Sequence, residues 1–525
     1  MKYSYSIVKA DYLQRTRSYS FLITLVVTVY AAYSFVPPVT AAYTTLNVPG
    51  YRGAFNSAWV GYVSATMTSV MLSLYGFLLV NSGIKKDIDT EVGLIVATTP
   101  ITNFRYLLVK LFSNFLVLLT IAGITFVVSM VMFLVRGNGY PFIFSDFIVP
   151  YLIFPLPALF IVSGLAVIAE VFLGKKSILQ FIIYFFICGA VMGGINSATT
   201  GVPTGIFDPF GLSVVTSSIK SQINTEFHEN IKQVSFGFIF GGHKAFRTVV
   251  WSGVNLTSIF IFSRLLWMAF SLLLVYISSF FFHRFDFNQS VSKKKKSSVP
   301  HQQTAITDIK PTAISPGLLP PVVADYGILP FIKTELLLLV RKGPKWFWLV
   351  TGGVWIAMIF VPLDVAHAYL LPIIWFLQVT RWSELVTKER TNRLHYFTYS
   401  SYKPLLRMLP AQILAGSTLA VALALPVIFR YLLIINTFVV INILLGAVFV
   451  ALLAVCLGIV TGGKKLFEVL FFMLTYAVIQ KVPAIDYLGA TAHKDHTGHV
   501  LIIITLILSL GLIGFVVRNY QARHL

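Results

Sequence analysis

Long apolar runs alternate with shorter polar segments along the whole chain. A helix needs about 20 apolar residues to cross the hydrocarbon core of a bilayer. Most of these runs reach or approach that length, so we predict about twelve transmembrane helices in two groups of six. The first six lie near residues 20–37, 58–82, 106–135, 147–173, 177–197 and 258–282, and the second six near 346–363, 367–381, 408–428, 432–461, 465–481 and 498–518.

Composition agrees with a location in lipid. Of 525 residues, 57% are hydrophobic and 11% are charged, and the mean hydropathy is +0.82. Soluble domains carry about 25% charged residues. About twelve spans with short connections leave no room for a large soluble enzyme domain. The first apolar run follows Lys2, Lys9, Arg15 and Arg17 without a small-residue cleavage site, so we expect a retained helix and a cytoplasmic N-terminus.

The net charge of +21 is explained by topology. With the N-terminus inside, about thirty of the 40 Lys and Arg residues fall on the cytoplasmic side, as the positive-inside rule expects. Anionic lipid headgroups then account for the charge, and we expect no nucleic-acid partner. The prediction is a multi-pass protein of the plasma (inner) membrane with both termini cytoplasmic and the lipid bilayer as a partner.

A polar segment divides the two groups of spans. Residues 284–325 hold a run of four lysines, Lys293 to Lys296, followed by Ser, Gln, Thr and Pro with few large apolar groups. Such a composition cannot bury a core and predicts a flexible basic cytoplasmic linker. The linker separates a first transmembrane unit, residues 1–283, from a second unit, residues 326–525.

A faint internal repeat relates the two units. Asp11 and Glu335 stand at the same offset before an arginine, each directly ahead of the first span of its unit. This pattern is typical of an amphipathic helix lying at the membrane interface. A Gly-Lys-Lys turn recurs at 174–176 and 463–465, between the fourth and fifth spans. The predicted fold class is an all-α integral membrane protein of two pseudo-repeated six-helix bundles with amphipathic interfacial helices.

Between the second and third spans of each unit lies a charged segment, the first elbow (residues 85–104) and the second elbow (residues 384–404). Each shows a short charged helix, a breaker of Ser, Thr or Pro, and a new apolar helix that opens with basic residues. The candidate functional residues of the elbows are Lys86, Asp87, Glu91, Gly93, Thr99, Pro100 and Arg105, and then Glu384, Lys388, Glu389, Arg390 and Asn392.

The first elbow follows a recognisable form. Residues 91–93 are acidic-x-Gly, residues 99–101 are Thr-Pro-Ile, and residues 105–110 give an Arg-Tyr-x-x-x-Lys start to the next span. This form resembles the coupling helix of the permease subunits of type-2 ABC exporters, whose six-helix unit opens with an amphipathic connecting helix. The second elbow departs from the form, with Asn392 and Lys403 among the residues that replace it.

The resemblance implies a transport function that depends on a second protein. Two fused units would supply both halves of the permease, and a separate cytoplasmic ATP-binding subunit, as a dimer, would dock on the two elbows. ATP and magnesium would then bind to that partner, with no cofactor on this chain. The residues agree that the chain is not itself an enzyme: Gly458–Lys465 lacks the Ser or Thr of a phosphate loop, and no hydrolase or metalloprotease motif is present.

Two external segments hold further candidates. Phe236, Phe238 and Phe240 alternate as in a strand or a re-entrant hairpin, and the resemblance suggests an outer gate, the alternative being packing on the top of the bundle. The three histidines His493, His496 and His499 could bind a metal if their segment is helical, although solvated surface histidines are the commoner explanation.

Few ionisable groups fall inside the spans, which bears on the cargo. Glu170 lies beside Lys175 and Glu468 follows Lys464 and Lys465, so we expect an interfacial ion pair in each unit. Scarce intramembrane carboxylates favour a hydrophobic or amphipathic cargo, such as a peptide, lipid or drug. The alternative function is a twelve-helix secondary transporter driven by a proton or sodium gradient, which also often has two related halves. A membrane scaffold or a lipid-modifying enzyme is a third possibility, without motif support.

Overall fold

We analysed a computed structural model of the chain. It describes residues 2–39, 41, 43–137, 139–174, 177–197, 208–228, 234–240, 247–282, 327–392, 394, 396, 398, 400, 402–480, 485–490 and 496–523. The predicted linker, 284–325, therefore lies outside the described residues.

The first unit is a series of helices with four short strands. The helices are α1 (Lys2–Thr16), α2 (Tyr19–Phe35), α3 (Ser57–Val80), α4 (Gly83–Asp89), α5 (Val92–Ala97), α6 (Asn103–Arg136), α7 (Ser145–Ile153), α8 (Pro155–Leu173), α9 (Ser177–Ser197), α10 (Leu212–Phe227) and α11 (Ser258–Phe281). The strands are β1 (Tyr43–Asn47), β2 (Tyr51–Gly53), β3 (Ser235–Phe240) and β4 (Arg247–Val249).

The described residues of the second unit form helices joined by turns, without a strand among them. Its helices are α12 (Leu329–Arg341), α13 (Lys345–Phe360), α14 (Leu363–Val365), α15 (Leu371–Leu377), α16 (Val379–Trp382), α17 (Thr387–Thr391), α18 (Pro404–Leu433), α19 (Thr437–Thr461), α20 (Lys465–Ile479) and α21 (His496–Arg523). A π-helical turn, Ala366–Leu370, joins α14 to α15.

The prediction of an all-α membrane protein is confirmed in its general form. Among the described residues, seven helices are long and apolar enough to cross a membrane, and eight if the bent pair α1 and α2 forms one span. The seven are Ser57–Asp89, Asn103–Arg136, Ser145–Leu173, Ser258–Phe281, Pro404–Leu433, Thr437–Thr461 and Gly498–Arg523. Other predicted spans form shorter apolar helices, among them α13, so the number twelve stays a prediction.

Helix α3 is the most enclosed of these seven helices, with 83% of its apolar window buried. The Asn56 side chain caps its start by accepting the N–H of Trp59 at 2.8 Å. Small residues then let neighbouring helices approach, as is usual inside membranes. At Gly61 an added Cβ would stand 2.1 Å from the backbone oxygen of Asp146 in α7, so only glycine fits this crossing.

The strands close one end of the first unit. Strand β1 pairs antiparallel with β3, and β2 pairs parallel with β4. The predicted strand-like alternation at Phe236–Phe240 is therefore confirmed as a strand. The end of the bundle with α1, α12 and both elbows, here called the elbow end, lies at the other end of α3.

The two units meet along α3, α9, α15 and α20. The Phe181 ring of α9 lies 5.1 Å from the Phe376 ring of α15 and 5.8 Å from the Phe472 ring of α20. At the elbow end, the Lys465 ammonium of α20 donates to the Leu78 carbonyl of α3 at 3.0 Å. Aromatic packing and one charged hydrogen bond thus join the units.

Replacing Gly61 with Ala should destabilise the bundle, because the methyl group meets backbone that cannot rotate away. Overpacking costs about 1–3 kcal/mol. The control is Gly123→Ala in α6, where nothing lies within 4 Å and alanine favours the helix. Thermal unfolding in detergent should show a lower midpoint for Gly61→Ala only. Equal midpoints would contradict the close crossing of α3 and α7.

Candidate functional site

The first elbow consists of α4, α5 and the beginning of α6. Glu91 has a left-handed backbone, with φ at +60°, where the chain turns from α4 into α5. The Thr99 hydroxyl donates to the Val96 carbonyl at 2.6 Å as α5 ends. The Thr102 hydroxyl then caps α6 by accepting the N–H of Arg105 at 3.3 Å. The turn at Glu91 is closed by a backbone hydrogen bond from its N–H to the Ile88 carbonyl at 3.1 Å, so each turn of the elbow has its own hydrogen bond.

The tip of the first elbow is apolar and accessible. On α5, Val92, Leu94 and Ile95 are 43%, 47% and 67% exposed. Of the predicted residues, Lys86, Glu91, Pro100 and Arg105 are also exposed, while Gly93 is buried. The tip therefore offers an apolar surface bordered by charges.

Beneath this tip, a buried lysine holds together three elements. The Lys110 ammonium of α6 lies 2.9 Å from the Asp87 carboxylate of α4 and 3.6 Å from the Asp11 carboxylate of α1. The Tyr106 hydroxyl also donates to Asp87, at 2.7 Å, and Ser113 donates to Asp11 at 2.6 Å. Asp87 is thus a structural ion-pair partner as well as an elbow residue.

The second elbow is fixed by three acidic residues. Glu384 pairs with Lys342 and, at 2.9 Å, with Lys464. Lys388 pairs with Glu335 of the amphipathic helix α12.

Buried Glu389 is the third of these residues, and its partners come from two long helices. Its carboxylate accepts from Gln412 of α18 at 2.7 Å and from Arg518 of α21 at 2.8 Å. Arg390 and Asn392 remain exposed.

The pKa values of half-buried Glu384 and buried Glu389 are shifted in opposite directions. Burial alone would raise the pKa of Glu384, but the charges of Lys342 and Lys464 hold its pKa below the ordinary value. Burial raises the pKa of Glu389 above its ordinary value despite Arg518. Because the pKa of Glu384 is lowered in the folded state, its ion pairs stabilise the fold above the ordinary carboxyl pKa. This stabilisation is lost as the pH falls from the ordinary pKa through the lowered one.

Several contacts could not be found from local sequence. Arg518 and Gln412 lie far along the chain from Glu389, and neither carries a motif. Glu468 does pair with Lys465, at 3.6 Å, as predicted. Lys175, the predicted partner of Glu170, lies outside the described residues, so that ion pair stays a prediction. Among the described residues, the Glu170 carboxylate accepts backbone N–H groups.

The other predicted candidates lie at the opposite end. The Phe238 ring stands 5.7 Å from the ring of Tyr43, and Phe236 is half-buried, while the Phe240 side chain lies outside the described part. A Cβ at Gly237 would stand 3.7 Å from the Tyr476 hydroxyl of α20, so β3 reaches the second unit. A gating role stays a prediction.

The histidine prediction is only partly covered by the structure. His493 and the side chain of His496 lie outside the described residues, and His499 is half-buried in α21. Within the described part, no group of three His, Cys, Asp or Glu could hold a metal ion. A metal site here stays a prediction.

Replacing Lys110 with Met should weaken the fold, because half-buried Asp87 and buried Asp11 lose their shared cation. Among the described residues, only Asp11 keeps another ion-pair partner, Arg15 at 3.3 Å. Removing one partner of a buried pair costs about 3–5 kcal/mol. The control is Arg105→Met, an exposed site on the same helix. The free energy of unfolding of each variant can be measured in mixed micelles. An equal decrease for Lys110→Met and Arg105→Met would argue against the Lys110 network.

Comparison with known proteins leaves the function to be argued from this geometry. No family model, no curated protein and no solved structure matches this chain.

Proposed function

We propose that the chain is the membrane permease of an ATP-driven transporter of the type-2 ABC exporter kind, energised by a separate ATP-binding subunit. The observation that carries the proposal is the construction of the two elbows. Each is tied by buried ion pairs to an amphipathic helix or a long apolar helix, and each leaves an exposed surface. A force on such an elbow would be transmitted to the helix bundle, because short ion pairs join the elbow to the helices.

The two elbows are near enough to act together. Lys464 lies 2.9 Å from Glu384 of the second elbow, and the next residue, Lys465, donates to the Leu78 carbonyl near the end of α3, just before the first elbow. An ATPase dimer could therefore contact both elbows from one side, which we take to be the cytoplasmic side because the Lys- and Arg-rich segments lie there. Both termini would be cytoplasmic, in the plasma (inner) membrane. ATP and magnesium would bind to the partner.

Two fused six-helix units are part of this proposal. Helix α3 of the first unit packs on α20 of the second, and α9 packs on α15. In the proposed order these are second-to-fifth and fifth-to-second spans, the exchange expected of two related halves. Asp11 and Glu335, which stand at matching positions, each pair with a lysine, although Lys110 lies on α6 and Lys388 lies in the second elbow.

The surface between the units favours an apolar or amphipathic cargo, such as a peptide, lipid or drug. Aromatic rings of Phe181, Phe376 and Phe472 occupy it. Among the described residues, the buried carboxylates of the elbow end are held by bases or backbone amides. A proton- or sodium-coupled transporter would need a titratable group on the cargo route, so we keep this alternative as an outcome of the test.

Changing Ile95 to Glu should weaken the binding of the ATPase subunit, because a charge replaces the most exposed apolar side chain of α5. Loss of one buried apolar contact at an interface centre costs about 2 kcal/mol, a reduction in affinity of roughly 30-fold. The measurement is co-purification in detergent with a nucleotide-binding protein, followed by titration of that protein. Glu91→Lys and Arg390→Glu should act similarly, since both side chains are exposed.

The matched control is Val250→Glu, an exposed valine at the opposite end of the bundle. This variant should bind the ATPase subunit as the original chain does. A chain that purifies without a nucleotide-binding protein and transports on a proton gradient without ATP would overturn the proposal in favour of a secondary transporter. Asp87 and Glu389 are poor probes of docking because reversing their charge also breaks buried ion pairs.

A further inference from the structure

Backbone N–H groups at the junction of α3 and α4 all donate to one carboxylate. Buried Glu170, near the end of α8, accepts the N–H groups of Ser82 and Gly83 through Oε1, at 2.8 Å each. Its Oε2 accepts those of Ile84 at 2.7 Å and Lys85 at 3.0 Å. One side chain from a distant helix thus satisfies four consecutive backbone donors.

These four donors lie where the chain turns from α3 into α4, and this turn has a left-handed backbone at a non-glycine residue. Ser82 has φ at +96° and its own side chain makes no capping hydrogen bond. The first N–H groups of a helix have no partner inside the helix, and a negative charge is favourable there. Charge-assisted hydrogen bonds are about twice as strong as neutral ones. Glu170 therefore supplies what a local capping residue would normally supply.

A second contact anchors the same turn. The Asn81 amide donates to the Gln180 side-chain oxygen of α9 at 2.9 Å, and the Gln180 amide donates to the Gly174 carbonyl at 2.7 Å. Gly174 directly follows α8, and Gln180 lies in the first turn of α9. The beginning of the first elbow is thus fixed to the end of α8 and the start of α9.

We propose that Glu170 is a positioning residue that couples movement of the first elbow to α8 and α9. The inference rests on the proposed function, because it assumes a partner that moves the elbow. The second unit reaches the matching junction through other residues. The position at the same spacing before Gly463 is Ile459, so the capping carboxylate has no counterpart there. The second elbow contacts the α19–α20 junction through Glu384 and Lys464, and it is also tied to α21 through Glu389 and Arg518.

The first experiment needs no partner. Hydrogen exchange of the purified chain should show amides 82–89 exchanging at least about tenfold faster in Glu170→Gln, because the neutral amide offers one acceptor oxygen in place of two. Exchange in α19 should not change. The matched control is Glu226→Gln, an exposed glutamate at the opposite end, which should leave both regions unchanged. Unchanged exchange at 82–89 in Glu170→Gln would overturn the inference.

Where Glu170→Gln does not fold, Glu170→Asp gives the same test, since its carboxylate is one methylene short of the four donors.

The second experiment uses the complex with the ATPase subunit. Glu170→Gln should bind the subunit with unchanged affinity but lose at least about half of the change in ATPase rate that docking causes. If Glu170 had a purely structural role, the variant would form less complex, and the ATPase rate of the complex that does form would be unchanged. If the unchanged chain binds no ATPase subunit, the proposed function is wrong, but the hydrogen-exchange result at residues 82–89 still holds.

Discussion

Charges enclosed at the elbow end have to be paired, and this constraint organises the rest of the structure. An isolated ion away from water costs several kcal/mol. Lys110 is 2% exposed, and it is stable there because Asp87 and Asp11 reach it from two other helices. The pairing fixes α1 against α6 and places α4 beside both. The course of the first elbow follows from those three positions.

The second unit meets the same constraint with other residues. Glu335 of α12 pairs with Lys388, and Glu389 takes Arg518 from the last helix. The elbows therefore share a design, an amphipathic helix and a long helix joined by buried charge, without sharing the residues. This difference is consistent with the departure of the second elbow from the coupling-helix form.

Sequence patterns predicted the helices better than the contacts. Hydropathy located α6, α18 and α19, since a long apolar run has few alternatives in lipid. It did not predict the break at Ala366–Leu370, because a π-helical turn keeps the apolar pattern of the surrounding helix. The backbone N–H groups that Glu170 accepts have no sequence signature, so hydropathy and charge spacing could not predict them.

The central claim is that the first elbow is a docking surface for an ATPase. Its most direct test is a photo-crosslinking amino acid placed at Ile95, the most exposed apolar side chain of α5, and activated in native membranes. The account predicts a covalent adduct with a protein that binds and hydrolyses ATP, and no such adduct from the same probe at Val250. Adducts with lipid alone, or equal yields from both positions, would contradict it.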